Sequence, residues 1–420
     1  MRALANVARL LLVRHRALTV VSVLFFCSLL GAYATGFWLM SRLANVVIVV
    51  VPLAYVWSRL NLRSLEVTVD RSTDQLQVGG CFEERVTVEN RGWFTKLWLE
   101  VEDASDLPGH SAKWAVTLGP HSQRSWRKVS ICTRRGLYSV GPLSVATGDP
   151  LGLFRVSRTF GAAQPVLVYP RAAELPKFEV PHSALLDEGR YLRAGYSSAS
   201  NVVSVREYAP GDTMSRIHWP STARVGRLMV KLFEPEPASD VWVVLDLQGS
   251  VQAGEGDDGT EEHAVSIAAS VARYFLLADR RVGFLAHGRR YHREEPGRGL
   301  AQYAQILEAL AVARAEGDVP LARLVNYEGR RFGRHTTLVT ITSSTEEAWV
   351  VSLQELKGRG VQQAAILLEP RTFGGGGDAL FIFGALAAAE ITTYLVKRDD
   401  DLAVALASSP EPVSESRSSR

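Results

Sequence analysis

The chain has 420 residues, of which 47% are hydrophobic and 22% charged, with 47 basic and 44 acidic side chains. This length allows two or three domains with sizeable cores, and so apolar a chain is not disordered throughout. Ordinary glycine and proline counts and only three cysteines exclude collagen-like and disulfide-scaffold proteins. A net charge of +3 gives no indication of nucleic-acid binding.

A long apolar stretch near the N-terminus predicts two membrane-spanning helices. Between Arg16 and Arg59 lie 42 residues with a single charge, Arg42. A spanning helix needs roughly 20 apolar residues, so this stretch is long enough for two spans and a tight turn. We place the spans within residues 17–57, as helices over 17–35 and 37–57 with the turn at Gly36.

Basic residues flank this stretch on one side of the predicted membrane. They are Arg2, Arg9, Arg14, Arg16, Arg59 and Arg63. The positive-inside rule therefore places residues 1–16 and the whole soluble portion in the cytoplasm, with the spans in the cell (inner or plasma) membrane. The alternative is a signal peptide cleaved near Ala32-Tyr33-Ala34, after which the second span would still return the chain to the cytoplasm.

Residues 62–170 predict a β-sandwich of the immunoglobulin-like type. Apolar and polar residues alternate at 65–70, 85–89, 97–102 and 126–131, between Gly, Pro and Asn residues. Period-two alternation is typical of antiparallel sheet with one buried and one solvated face. The following residues, 171–200, show no periodicity and predict a linker, which with the charged segment after it occupies 171–237.

Residues 238–407 predict an α/β domain with a doubly wound, mainly parallel sheet. Short apolar runs at 241–245, 282–286, 337–342, 364–368 and 392–396 are typical of strands buried on both faces. Helical segments at 261–277, 301–315 and 345–357, and a helix ending at 385–389, separate these strands. Strand–helix alternation specifies this architecture, and the polar tail 408–420 is predicted to be disordered.

The segment between the two soluble domains carries the densest group of candidate functional residues. They are Arg206, Glu207, Tyr208, Gly211, Asp212, Arg216, Trp219, Thr222, Arg224 and Lys231. Their charges are nearly matched, which favours internal bidentate pairing that fixes the segment to the following domain. A basic docking surface for a partner is the alternative interpretation.

The order R-E-Y-x-P-G-D, R-x-I-x-W, T-A-R and L-x-V-K-x-x-E within 206–234 resembles the bacterial "domain of unknown function 58" family (DUF58). The paired spans, the β domain and the segments Arg135–Tyr138 and Asp149–Phe154 extend the resemblance over nearly the whole chain. Pro220 departs from it, because many members have a basic residue there. The resemblance implies a von Willebrand factor A-like C-terminal domain. It also implies association with MoxR-type AAA+ ATPases in assembly or maturation of envelope or metal-dependent complexes.

That resemblance also implies a divalent metal site after the first strand of the α/β domain, with the pattern D-x-S-x-S. Here Asp246 and Ser250 are present, but Gln248 replaces the first serine. Residues Thr342–Thr345 stand where a later aspartate is expected. Since Mg²⁺ prefers several carboxylate and water ligands, this degenerate set favours a metal-free docking face, and no cofactor is predicted.

Three functions remain open at this point. The first is a non-enzymatic, membrane-anchored adaptor that docks a partner, the second is a metal-dependent ligand-binding module, and the third is a hydrolase using His218 or Asp246. The glycine run Gly374–Gly377 lacks the Lys-Ser/Thr of a phosphate loop, and the sequence contains no H-E-x-x-H, G-x-S-x-G or C-x-x-C motif. These absences favour the adaptor.

Overall fold

The computed structural model describes residues 16–72, 76–178, 202–209, 214, 217–233, 240–334 and 336–407. The predicted N-terminal segment 1–15, the predicted tail 408–420 and the motif residues Gly211, Asp212 and Arg216 lie outside the described residues. The chain divides into two compact units, Met1–Tyr169 and Pro170–Arg420.

The first unit begins with two apolar helices, α1 (Arg16–Thr35) and α2 (Trp38–Leu62). Gly36 between them has a φ of +64°, a left-handed conformation that glycine adopts without a steric penalty. Both helices are long and apolar enough to cross a membrane. The predicted helical hairpin is confirmed, although α2 runs five residues beyond the predicted end at Trp57.

Nine strands follow in the first unit. They are β1 (Leu65–Arg71), β2 (Cys81–Asn90), β3 (Lys96–Asp103), β4 (Lys113–Leu118), β5 (Ser122–Ile131), β6 (Gly136–Val140), β7 (Leu143–Gly148), β8 (Arg155–Phe160) and β9 (Gln164–Val168). They form antiparallel sheets in the orders β1-β2-β5, β4-β3-β7-β8 and β6-β9. Inward residues of the first two sheets, such as Val86, Val88, Leu99 and Val145, share one core, which makes the predicted sandwich.

The second unit contains the remaining elements. They are β10 (Val202–Glu207), α3 (Trp219–Val225), β11 (Met229–Phe233), β12 (Asp240–Leu245), α4 (Thr260–Leu277), β13 (Val282–His287), β14 (Tyr291–Gly297), α5 (Gly299–Val312), α6 (Leu321–Glu328), β15 (Thr336–Thr342), α7 (Ala348–Gly358), β16 (Gln362–Leu368), α8 (Ala379–Ala388), β17 (Thr392–Val396) and α9 (Leu402–Ala405). The predicted α/β alternation is confirmed.

A six-stranded sheet in the order β14-β13-β12-β15-β16-β17 organises this unit. Five strands are parallel, and β14 is antiparallel at one edge. The chain passes from β12 to β13 on one side and later to β15 on the other, so the topology switches direction between β12 and β15. Ligands of doubly wound sheets bind outside the carboxyl ends of strands at such a switch point.

Helices cover both faces of the sheet. Residues of α6, α7 and α8 join Trp242 and Val244 of β12 in one buried cluster, which also includes Leu338 and Leu367. Helix α4 contacts β12 and β15 but contributes no residue to that cluster, so it covers the opposite face. Sequence analysis did not predict β14 or α6, since both carry many polar residues and lie partly exposed.

Candidate functional site

A cleft of about 320 Å³ lies at the carboxyl ends of β12 and β15, where the topology switches. The residues after β12 turn into a short 3-10 helix at Gly249–Val251, and those after β15 form the loop 343–347. The cleft is lined by Ser250, Val251, Gln252, Ala253, Ser343, Thr345, Glu346, Pro370, Gly375 and Gly376. The sheet thus places the predicted Asp246–Ser250 segment beside the Thr342–Thr345 segment.

Asp246 lies at the base of this region with only 3% of its surface exposed. One carboxylate oxygen accepts a hydrogen bond from the Thr342 hydroxyl at 2.6 Å, and the other accepts one from the Gln248 backbone N–H at 3.0 Å. Burial raises the pKa of this carboxyl to about 6, although both hydrogen bonds lower it, and the nearby Glu346 charge raises it further. The Asp246 carboxyl is therefore protonated more readily than an ordinary aspartate.

The hydroxyl predicted as a second metal ligand is engaged within the protein. The Gln248 side-chain amide donates a hydrogen bond to the Ser250 hydroxyl oxygen at 2.7 Å. The Gln248 amide thus occupies the position of the first serine in the metal-binding pattern, and it uses its N–H₂ group as a donor. The Ser250 hydroxyl oxygen keeps a second lone pair beside this hydrogen bond, so the contact engages Ser250 without excluding it as a metal ligand.

A second polar network closes the side of the cleft next to α4. Gln252 accepts a hydrogen bond from the Thr260 hydroxyl at 2.7 Å and donates one to the Asp246 backbone carbonyl at 3.2 Å. Ser343 donates to the Val251 carbonyl at 2.8 Å. Sequence analysis did not single out Gln252, Thr260 or Glu346, because their joint position depends on loops that are far apart in the chain.

The glycine run that lacks a phosphate-loop signature serves packing instead. A Cβ on Gly375 would lie 2.5 Å from the Ala253 Cβ and 3.1 Å from the Pro370 carbonyl oxygen, whereas a Cβ on Gly376 would meet nothing within 4 Å. Gly377 has a φ of +101°. The run lets its backbone approach the wall of the cleft closely.

The motif segment is built on a separate two-stranded antiparallel sheet of β10 and β11. His218 caps α3 by accepting the Ser221 N–H through its side chain, and Gly226 ends the helix with a φ of +72°. The Thr222 hydroxyl accepts the Met229 N–H at 3.0 Å, which ties the helix to β11. Thr222 of the T-A-R motif therefore has a local structural role.

Several charged and aromatic motif residues face solvent. Arg206, Glu207, Trp219 and Arg224 are exposed, and Tyr208 is half-buried. Glu207 pairs with Arg227 at 3.4 Å, and ion pairs between exposed groups contribute at most about 1 kcal/mol. Lys231 lies in β11 opposite Val205, and its side chain lies outside the described part.

The hydrolase alternative depends on His218 or Asp246. His218 Nδ1 lies 2.7 Å from the Ser221 hydroxyl in the helix cap, so this pair is used in holding α3. No hydrogen bond or ion pair in the described part of the chain joins His218 to a carboxylate. Asp246 is bonded to Thr342 and Gln248. A base, a nucleophile and an orienting acid thus do not converge among the described residues.

Residues 204–371 match the model of the family described as "Protein of unknown function DUF58". This range includes the described motif residues and both strands that flank the cleft, β12 and β15. Residues 204–371 belong to the DUF58 family. The family predicted from the motif spacing is confirmed. The chain is also 26% identical to YeaD, an uncharacterised protein of Bacillus subtilis (strain 168), over 315 residues. This aligned region covers 71% of this chain and 74% of YeaD.

Similar solved structures cover smaller parts of this chain. One is the CARDB domain of the PF1109 protein from Pyrococcus furiosus in complex with di-metal ions, which is 21% identical with a TM-score of 0.20 and covers 25% of this chain and 91% of that one. Another is proximal thread matrix protein 1 from the mussel byssus, which is 10% identical with a TM-score of 0.25 and covers 31% of this chain and 38% of that one.

A buried charged cluster lies in the β-sandwich, outside the residues that match the DUF58 model. Ligand atoms of Glu84, Asp103 and His110 lie within 4.8 Å of one another, and these side chains are fully buried. The Arg71 guanidinium lies 2.8 Å from the Glu84 carboxylate and 3.4 Å from that of Asp103. Arg71 and protonated His110 balance the two carboxylates, so the cluster is a closed ion network without need of a metal.

Protonation of His110 is what completes this balance. Burial lowers the pKa of His110, but hydrogen bonds to Asp103 and Glu84 outweigh burial and raise the pKa to about 9. The position of Glu84 in the alternating pattern of β2 could have indicated the cluster from the sequence. Glu84 occupies an inward site of β2, in line with buried Phe82 and Val86, and a charge at such a site needs buried partners.

Proposed function

We propose that this chain is a non-enzymatic, membrane-anchored adaptor whose α/β unit docks a partner protein. The observation that carries the proposal is the polar cleft at the switch point, where the carboxylate and hydroxyls are bonded to one another instead of being arranged around a reacting group. Partners of doubly wound sheets meet the fold at these strand ends. A von Willebrand factor A-like classification of the α/β unit belongs to the same proposal.

Two apolar helices at the start of the chain support the anchor. They are long enough to cross a bilayer, and basic residues on the flanks of this hairpin favour a cytoplasmic position for both soluble units. An adaptor of this kind would hold its partner at the membrane surface. We propose a MoxR-type AAA+ ATPase as this partner, acting in assembly or maturation of envelope or other complexes.

The exposed side of the motif segment supplies a second contact for the partner. Trp219 is 65% exposed, and Arg224 lies on the same short helix. Trp and Arg are the residue types that most often dominate binding energy at protein interfaces. Both side chains are exposed, so truncating them leaves the His218 cap and the Thr222 hydrogen bond that hold α3 in place.

The proposal is tested by measuring binding between the purified full chain in nanodiscs and the MoxR-type ATPase of the same organism. We expect Trp219→Ala and Arg224→Ala each to weaken binding by about 30-fold, corresponding to about 2 kcal/mol. Arg323→Ala is the matched control, since Arg323 is an exposed arginine on helix α6. Unchanged binding in all three variants would remove the motif segment from the interface, and no binding by the wild type would refute the partner.

A metal-dependent ligand-binding module is the second candidate, and one observation favours it. Glu346 lines the cleft and raises the pKa of Asp246, so two carboxylates lie near each other at the strand ends. A divalent cation would relieve this repulsion. Among the described residues, however, Asp246 and Glu346 are not joined by a third carboxylate, histidine or cysteine close enough to share one ion.

Mg²⁺ and Mn²⁺ distinguish the two candidates. A metal module predicts a rise in unfolding temperature with each ion, because binding to the folded state alone stabilises it by mass action, and the rise should vanish in Glu346→Gln. The adaptor predicts no shift with either ion and full binding of the ATPase in the presence of a chelator.

A further inference from the structure

Four large apolar side chains of the first unit are exposed to an unusual degree. Trp93 is 81% exposed, Phe94 70%, Trp98 59% and Leu151 58%. We call these four residues the aromatic rim. Exposed apolar side chains that gather on one side of a protein mark an interaction surface.

Trp93 and Phe94 lie in the loop before β3 and Trp98 near the start of β3, and this part of the chain is bonded to the end of helix α2. The Arg91 backbone N–H donates to the Ser64 carbonyl at 3.0 Å. The Asn61 side chain donates to the Leu97 carbonyl at 3.1 Å, and the Lys96 ammonium donates to the Leu60 carbonyl at 2.5 Å. The loop is therefore held beside the last turn of this helix.

Trp98 has a backbone conformation that turns it out of the sheet. Its φ is +48°, in the left-handed region that bulky residues rarely adopt, and the pairing of β3 with β4 shifts register between Lys96 and Leu99. A strained aromatic residue held outward by such a bulge is typical of a functional position.

Leu151 reaches the same end of the unit from a second loop. Asp149 is buried and accepts the Leu151 N–H at 2.9 Å and the Phe154 N–H at 2.6 Å, which fixes the turn. The Phe154 ring then lies 5.5 Å from the ring of Tyr55 on α2. Two loops of the sandwich thus enclose the end of one apolar helix.

The length of α2 places this end at the membrane surface. Its 25 residues extend about 37 Å, whereas the hydrocarbon core of a bilayer is about 30 Å thick. If the core begins at Trp38, it ends near Trp57, and Leu60 and Asn61 lie among the headgroups. The loop bonded to Leu60, Asn61 and Ser64 then lies at the same depth.

We propose that the aromatic rim inserts into the interfacial layer of the bilayer, with phospholipid as its binding partner. This inference rests on the membrane anchor of the proposed function. Trp residues are enriched at the headgroup level of membranes, where their rings are partly apolar and partly wet. Exposed Arg59 and Arg63 beside the rim would meet anionic headgroups. The sandwich is then held against the membrane surface instead of hanging from a flexible tether.

The test places single cysteines in the full chain and labels them with an environment-sensitive fluorophore. The background replaces the exposed Cys27 and Cys81 with alanine, and buried Cys132 stays. Phe94→Cys reports the rim. Ile131→Cys is the matched control, because Ile131 is 60% exposed but lies at the other end of β5, about 30 Å along the strand from Ser122. Val46→Cys reports α2 itself.

The chain is reconstituted in vesicles of phosphatidylcholine and phosphatidylglycerol that carry a nitroxide near the headgroup or near the chain end. We expect the label on Phe94→Cys to be quenched mainly by the headgroup nitroxide, and the label on Ile131→Cys by neither. Equal quenching of the two labels would overturn the proposal, because the rim would then lie no nearer to the bilayer than the control. A blue-shifted label on Phe94→Cys that no lipid nitroxide quenches would also overturn it and indicate a protein partner. Quenching of Val46→Cys by the chain-end nitroxide shows that the anchor holds in either case, whereas its absence would refute the anchor and the rim together.

Discussion

Replacing Asp246 with asparagine should stabilise the α/β unit at neutral pH. The carboxyl is buried, and its pKa rises from an ordinary 3.8 to about 6 in the folded chain. Folding therefore favours the protonated form, and the ionised carboxylate lowers stability at every pH above its unfolded pKa. The asparagine side chain would keep the shape of the protonated carboxyl without a charge to desolvate.

The expected magnitude follows from the two pKa values. Each pKa unit corresponds to 1.36 kcal/mol, so the loss is about 3 kcal/mol once the pH exceeds about 6. At pH 5 the folded carboxyl is mostly protonated, and the loss falls to about 1.5 kcal/mol. For a unit of this size, 3 kcal/mol corresponds to a rise of about 6–12 °C in unfolding temperature.

Thermal unfolding of the full chain, followed by the fluorescence of buried Trp242 and Trp349, measures this effect. Asp246→Asn should unfold at a higher temperature than the wild type at neutral pH, with a gap that narrows at pH 5. Asp318→Asn, at an exposed aspartate, is the control and should shift neither value. A lower unfolding temperature for Asp246→Asn at neutral pH would show that the carboxylate hydrogen bonds outweigh burial and would refute this reasoning.

Two further predictions concern other parts of the chain. The pKa of His110 is raised from 6.5 to about 9, so its contribution of about 3 kcal/mol is present below pH 6.5 and is lost as the pH rises through about 9. In the wild type, the free energy of unfolding of the sandwich, measured with denaturant, should fall over that pH range, and His110→Gln should abolish this pH dependence. A wild-type free energy of unfolding that stays constant from neutral pH to pH 9 would contradict a protonated His110. Gly375→Ala should destabilise the α/β unit by about 1–3 kcal/mol, because the new Cβ would collide with the cleft wall. The control Gly376→Ala should change stability by less than about 0.5 kcal/mol. Equal effects of the two substitutions would contradict the packing role of Gly375.

Much of the fold could be predicted because its signals are local. The runs 241–245 and 337–342 are apolar or β-branched throughout and are almost wholly buried in β12 and β15, as expected for strands covered on both faces. The predicted ends of the helices were less accurate than the predicted strands. The helix predicted at 345–357 begins at Ala348, because the polar loop before it bonds to the strand end, and the one predicted at 301–315 ends at Val312.

The candidate site could be predicted only in part. Asp246 was predicted because the family resemblance implies a D-x-S-x-S pattern after the first strand of the α/β domain, and Asp246 stands at its first position. Its closest partner, the Thr342 hydroxyl, lies 96 residues away along the chain, and no sequence period relates them. The same limit applies to Glu84 and His110, whose contact depends on the pairing of distant strands, and to Trp98, whose exposure depends on a bulge.

The antiparallel strand β14 has a consequence for the behaviour of the chain in solution. Parallel strands such as β13 are almost wholly apolar. If such a strand lay at the edge of the sheet, its unpaired backbone N–H and C=O groups could pair with a second molecule. Strand β14 covers that edge with a sequence of charged residues, Arg293, Glu294 and Glu295, followed by Pro296, which has no N–H to donate. The sheet thereby ends in a strand that resists joining another sheet, and this protects a highly apolar core from aggregation.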